Sequence, residues 1–288
     1  MPLDQFSYGA LTPTLSYFVS VLGCLFGLIA TARARRIVDG QRRAGWLTLA
    51  ACSIGGTGIW SMHFIAMLGF SVKNKAPIQF DLGVTAASLL TAIVVVAIGL
   101  FIVGYGRVSA LKVIAAGIFT GVGVAGMHYS GMAAMQIPAN VSYDPKLVAA
   151  SVGIAIVAAT VALWFTLVLN RPVALTIGAL IMGVAVNGMH FTGMYALHVS
   201  PYFAKAISGV SPFWLLAPIV VFVIAVIFML LVAMLTRAGV SDHGEDTIRI
   251  HNPRVPVQPI LPDGAAAVDG APQSRTLRTS AAAFSRRR

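Results

Sequence analysis

The chain has 288 residues, 58% of them hydrophobic and 10% charged, with a mean hydropathy of +0.85. A soluble domain carries about 25% charged residues, and a chain of this size has too little interior to hide so much apolar surface. A soluble globular enzyme, a secreted disulfide scaffold and a nucleic-acid-binding domain are therefore excluded. The net charge of +11 does not bring nucleic acid back, because the excess is mostly arginine in one loop and in the C-terminal tail. That is the pattern of cytoplasmic retention beside anionic lipid. The apolar runs are continuous rather than alternating, which excludes a transmembrane barrel. The fold class is all-α, a polytopic membrane protein.

In chain order, seven stretches reach the roughly 20 apolar residues that a span needs: about 10–32, 44–70, 82–105, 113–136, 147–169, 172–199 and 212–236. The first follows Asp4 and precedes arginines, with no basic leader, so it reads as a retained span and not a cleaved signal. Cys24 and Cys52 lie inside the first two runs and read as small packing residues. The first loop holds Arg33, Arg35, Arg36, Arg42 and Arg43 against Asp39; Arg107 and Lys112 mark the third loop, Arg171 the fifth and Arg237 the start of the tail. The other side has Lys73, Lys75, Lys146 and Lys205, offset by Asp4, Asp81 and Asp144. This asymmetry predicts the N-terminus outside and the C-terminus in the cytoplasm. The membrane domain is 1–236. The tail, 237–288, has Pro253, Pro256, Pro259, Pro262 and Pro272 and ends in three arginines. It has too few large apolar residues for a core and is expected to be disordered and basic, with an end suited to anionic lipid.

The second, fourth and sixth spans share a string. They read Ser61-Met62-His63-Phe64-Ile65-Ala66-Met67, Gly126-Met127-His128-Tyr129-Ser130-Gly131-Met132 and Gly188-Met189-His190-Phe191-Thr192-Gly193-Met194. The spacing predicts three duplicated helical hairpins plus a seventh span. The three histidines fall roughly 10–14 Å below the expected outer ends of their helices. On a helix His63 shares a face with Met67, His128 with Met132 and His190 with Met194, while Met62, Met127 and Met189 lie about 100° round. Ala66, Gly131 and Gly193 near these faces, and Gly117 with Gly121, are expected to let helices approach closely.

Imidazole with thioether is a ligand set for copper, since soft thioethers favour Cu(I). No carboxylate lies at this depth, and a singly charged centre is the less costly one to bury in lipid. Haem, held axially by histidine or a His/Met pair, is the alternative cofactor. A transport or metal-handling protein, and a structural protein with histidines as interhelical hydrogen-bond donors, are the alternative functions. Asn187 reads as structural and His198 as an interfacial side chain.

These strings resemble the MHYT domain, a bacterial integral-membrane sensor family named for a Met-His-Tyr-Thr motif that recurs three times on alternate helices near the outer face. The resemblance covers about residues 8–236. It implies copper held by Met62, His63, Met67, Met127, His128, Met132, Met189, His190 and Met194, sensing of oxygen, carbon monoxide or nitric oxide, and a place in the bacterial inner membrane. The first copy departs most, with Ile65 and Ala66, and is expected to contribute least; no copy reads Met-His-Tyr-Thr in full. Family members often continue into a cytoplasmic cyclic-dinucleotide or kinase output domain. Here about fifty residues follow the last span, without a phosphate-binding loop or other catalytic motif. No enzymatic activity is expected, and the signal is expected to pass through a partner or the tail.

The topology has a direct check. Reporter fusions at Asp39 and Asp242 are expected to report cytoplasm, and one at Lys75 the outside; any reversal inverts the orientation.

Overall fold

The computed structural model describes residues 3–72, 78–201 and 208–250, with side chains over 4–72, 78–200 and 208–235. Lys73, Lys75, Lys205 and the tail from 251 onward lie outside the described residues. Two units divide the chain, Met1–Val240 and Ser241–Arg288, and every side chain described below lies in the first.

Seven helices in it are long and apolar enough to cross a membrane. The first span is α1 (Leu11–Ala34). The second, Gly40–Met67, is composite: α2 (Gly40–Ala51), a π-helical segment Cys52–Ser61, then α3 (Met62–Met67). The others are α4 (Leu82–Gly104), α5 (Ala110–Ala133), α6 (Pro145–Val168), α7 (Pro172–Tyr195) and α8 (Pro212–Ile250), whose apolar span is Pro212–Leu235. The second span starts before the apolar run because Asp39 caps it, its carboxylate accepting from the Arg42 N–H. Asp81, Ser109 and Asp144 cap α4, α5 and α6 in the same way. Along α4 and α5, Leu90, Val94, Ile98, Ile114, Ile118 and Val122 point outward, while hydroxyls such as Ser16, Ser88 and Ser151 are buried. That inversion of the soluble pattern suits a lipid surround.

The motif helices end three or four residues sooner than expected, because the chain turns into strands there. β1 (Leu3–Asp4) pairs with β2 (Ser71–Val72), β3 (Gln79–Phe80) with β4 (Met135–Gln136), and β5 (Ala139–Tyr143) with β6 (Leu197–Pro201), all antiparallel. Each repeat is thus a helical hairpin whose two ends are tied by a ribbon of its own: β1 to β2, β3 to β4, β5 to β6. The inward side chains, Val72, Phe80, Met135, Leu197 and Val199, are buried and close one end of the bundle. The loops rich in arginine lie at the other.

The motif helices touch each other only slightly along their length. α5 packs mainly on α4 and α6, α7 on α1 and α6, and the second span on α1 and α4. Gly117 and Gly121 do form a groove, but it takes Thr160 and the Ile156 backbone of α6 and not another motif helix. The closest crossing is between α1 and the π segment, where a Cβ on Gly23 would stand 2.3 Å from the Gly58 nitrogen. The π segment is glycine-rich, and its other flank meets the Ala92 carbonyl at Gly55 and the Phe222 ring at Gly56. Wider winding and missing side chains together let three helices reach its backbone.

Gly23→Val therefore sets a side chain against backbone that no rotamer change relieves. Its expected cost is at or above the ~1–3 kcal/mol usual for overpacking, read as loss of folded protein in detergent. Gly153→Ala, where a Cβ meets nothing within 4 Å, is expected to leave the unfolding midpoint unchanged or slightly raised.

Candidate metal centre

His63, His128 and His190 sit four or five residues before the ends of α3, α5 and α7, roughly 6–8 Å along each helix and beneath the ribbons. All three are fully buried. Their Nδ1 atoms turn to one point: His63 to His190 is 2.9 Å and His128 to His63 is 3.1 Å. The rings stand edge to face, with centroids 4.9, 4.9 and 5.1 Å apart. Among the described histidine, cysteine and carboxylate side chains, these three form the group close enough to hold one ion, with ligand atoms within 4.8 Å of one another.

Glycine makes the convergence possible. A Cβ on Gly131 would lie 2.4 Å from His63 Nε2, and one on Gly193 would lie 2.3 Å from His128 Nε2. The small residue of the second and third motifs thus seats the imidazole of the preceding copy. Its expected role, close approach of helix backbones, is corrected to this one. Ala66 occupies the corresponding position of the first motif. The first copy, expected to contribute least, supplies the imidazole that takes part in both short contacts.

A second set of contacts holds the motif helices in phase. Trp60 donates from Nε1 to Ser88 Oγ at 3.0 Å, Tyr129 Oη and Ser151 Oγ are 2.7 Å apart, and Ser16 Oγ donates to Asn187 Oδ1 at 2.9 Å. Each serine is buried on the first helix of a repeat, and each partner lies three residues before or one after a motif histidine. Motif helix one is tied to repeat two, two to repeat three, and three back to repeat one. Sequence reasoning missed these serines, although Ala86-Ala87-Ser88 and Ala149-Ala150-Ser151 recur at the same distance from their capping aspartates. Asn187 is structural as expected; its Nδ2 also donates to the Gly183 carbonyl. His198 lies in β6, exposed, with Nδ1 3.0 Å from the Ala196 carbonyl, apart from the cluster.

The six candidate methionines, Met62, Met67, Met127, Met132, Met189 and Met194, are all buried. Met189 also lines an apolar cavity of about 50 Å³ between α4, α5, α6, α7 and the π segment, walled by Val96, Leu100, Val124, Ala155 and Met182.

The donor set can be tested for fit to an ion. A neutral imidazole nitrogen carries either a proton or a lone pair. His63 Nδ1 faces two other Nδ1 atoms and can make one N–H···N bond with a single proton, so one contact is left unsatisfied. His63 Nε2 and His128 Nε2 are buried with no partner. A cation accepts all three Nδ1 lone pairs at once. Metal–nitrogen bonds of about 2.0 Å in one plane space the nitrogens about 3.5 Å apart, so the cluster needs to open by about half an ångström. The residues fit a small cation.

Gly131→Ala and Gly193→Ala push directly on an imidazole and are each expected to destabilise by about 1–3 kcal/mol. Gly126→Ala and Gly188→Ala, on the same helices with nothing within 4 Å, are expected to be neutral or to stabilise slightly. Thermal unfolding of the four purified variants checks this.

The geometry agrees with comparisons to known proteins. The MHYT repeat, described as a bacterial signalling protein N-terminal repeat, matches residues 56–116 and 121–179. Each match begins in a motif helix and runs on through the next span, so it includes the serine to which that helix is tied. The bifunctional diguanylate cyclase/cyclic di-GMP phosphodiesterase MucR of Pseudomonas aeruginosa is 34% identical over 233 residues, 78% of this chain and 33% of that protein. The cyclic di-GMP phosphodiesterase NbdA of the same organism is 36% identical over 199 residues, 66% of this chain and 25% of that protein. The signaling protein YkoW of Bacillus subtilis is 28% identical over 192 residues, 64% and 24%. The chain thus spans a third or less of the length of these relatives. No solved structure matches. The chain is a multi-pass membrane protein built on MHYT repeats.

Proposed function

We propose that the chain is a non-enzymatic membrane sensor that holds a copper ion at His63, His128 and His190 and responds there to oxygen, carbon monoxide, nitric oxide or redox state. The observation that carries this reading is the meeting of three buried Nδ1 atoms whose lone pairs cannot all be satisfied by one another. Every donor in the cluster is neutral, which suits Cu(I), and the buried thioethers of Met62, Met67, Met127, Met132, Met189 and Met194 are soft donors of the kind that ion prefers. When bound, copper supplies a site for a diatomic ligand or for one-electron exchange. The protein's part is to exclude water and hold the imidazoles in place. The apolar cavity partly lined by Met189, the residue before His190, has room for a small uncharged molecule. Haem fits less well, since two axial donors need a porphyrin plane between them and these rings are in edge contact.

The relatives are signalling proteins, two of them named for cyclic di-GMP turnover. We read this chain as the part that perceives, in the bacterial inner membrane with the N-terminus outside, passing its state to a signalling partner. The two N···N contacts of hydrogen-bond length favour one other reading, in which the histidines are helix glue without metal.

Elemental analysis with absorption spectra of reduced and oxidised protein tests this. Wild type is expected to carry close to one copper per chain. His63→Ala, His128→Ala and His190→Ala are each expected to lose it while the protein stays folded. Met132→Leu and Met194→Leu are expected to weaken Cu(I) more than Cu(II). Protein that is copper-free after mild purification and cannot be reloaded leaves the glue reading ahead; His→Ala then costs only about 0.6–2 kcal/mol of stability.

A further inference from the structure

At the arginine end of the bundle, the ends of α1, α2, α4 and α6 enclose a vestibule of about 380 Å³. Its walls are mostly apolar, from Leu47, Leu100, Val103 and Val168, with Thr31 and Thr166, whose hydroxyls bond their own helices, and with the side chains of Arg35 and Arg43. Arg35 donates from Nη2 to the Leu169 carbonyl and to Asn170 Oδ1, while its Nη1 is buried with no partner. Arg43 donates from Nη2 to the Gly104 carbonyl and lies over the Tyr105 ring, 5.0 Å from its centroid; its Nε is buried with no partner. Each arginine is therefore anchored through one nitrogen to a helix C-terminus and lines the vestibule, while another of its N–H groups has no partner. Helix-end capping explains the bonds that are made. It does not explain the donors left over, since a buried N–H without an acceptor is costly.

The surroundings are mostly positive, with Arg33, Arg36 and Arg42 beside one acid, Asp39. Burial and the neighbouring Arg36 push the Arg35 guanidinium below its ordinary value. Asp39, the acid of the adjoining loop, is engaged as the cap of α2. Lys112 donates from Nζ to the Tyr105 carbonyl at the rim, where Gly106 takes a left-handed turn with φ 71°.

We infer that this vestibule is an anion site in which Arg35 and Arg43 together hold a phosphate group. Arginine suits the task, because its planar fork can anchor to a carbonyl with one nitrogen and meet oxyanion oxygens with others. Two sources offer that chemistry at a membrane surface, the headgroup of an anionic phospholipid and free inorganic phosphate. The site is independent of the histidine cluster.

The test is thermal unfolding of the full chain in phosphatidylcholine nanodiscs at constant ionic strength. One arm replaces part of the lipid with phosphatidylglycerol and the other adds inorganic phosphate in place of chloride. A rise of a few degrees in either arm is expected, lost in R35Q/R43Q and kept in R36Q/R42Q, whose arginines are exposed. A rise with phosphatidylglycerol alone identifies the headgroup, and a rise with inorganic phosphate identifies the free ion. No rise in either arm, or a rise that R35Q/R43Q retains, overturns the proposal. If R35Q/R43Q does not fold, R35K/R43K decides: it keeps both charges but lacks the fork, so a rise of wild-type size in that variant also overturns it.

Discussion

In an apolar interior an imidazole has no water to bond with, and each of its nitrogens offers either one proton or one lone pair. Three such rings meeting through the same nitrogen cannot close a hydrogen-bonded circuit among themselves. Each buried polar atom left over is worth about 1–3 kcal/mol, so the arrangement persists only where its surroundings over-determine it. Much of this fold supplies that determination. The glycines of the motifs leave space for the next ring, the serines fix the rotation of the motif helices, and the ribbons close the bundle above the rings. The helices that carry the histidines barely touch one another. They are positioned from outside, by the helices between them, which leaves the middle of the bundle to the imidazoles and to the cavity beneath.

Seven spans and a layer of three histidines are legible in the sequence, because both rest on strong periodic signals. A run of twenty apolar residues has little other use, and a motif repeated about once per hairpin fixes the depth of its histidine. The ribbons leave no such trace. Strands of two residues, such as Leu3–Asp4 and Ser71–Val72, have no alternation to detect, so the apolar runs extend past the true helix ends. The π segment is equally silent, since hydropathy is blind to whether the backbone bonds i to i+4 or i+5. Gly55, Gly56 and Gly58 mark a site of close approach without saying what approaches.

The roles of individual site residues divide in the same way. Residue type and spacing identify the imidazoles as a set but not the nitrogen each presents, and the choice of Nδ1 over Nε2 comes from tertiary packing against Gly131 and Gly193. Drift from the consensus is a poor guide to position in the cluster. The first copy has the most altered motif, yet its ring is the hub of the cluster. Ser16, Ser88 and Ser151 read as ordinary small residues of membrane helices until their partners are known, and those partners differ each time: asparagine, tryptophan and tyrosine.

The contacts that build the centre all join different repeats. His63 meets Gly131, His128 meets Gly193, and each serine bond passes from one hairpin to another, the last from the third back to the first. A single hairpin therefore contains one imidazole and none of the contacts that place it. The same architecture could in principle arise from three identical hairpins about a threefold axis, as in a cyclic homotrimer, but there every residue would have to serve all three places at once. Joining the copies in one chain lifts that requirement. Ala66 can differ from Gly131 and Gly193, and one motif helix can wind as a π-helix while the others do not. The three imidazoles become chemically distinct although their motifs are related. A centre of this kind can give each ring a separate task, such as one that stays bound and one that yields to an incoming ligand, which strict symmetry forbids.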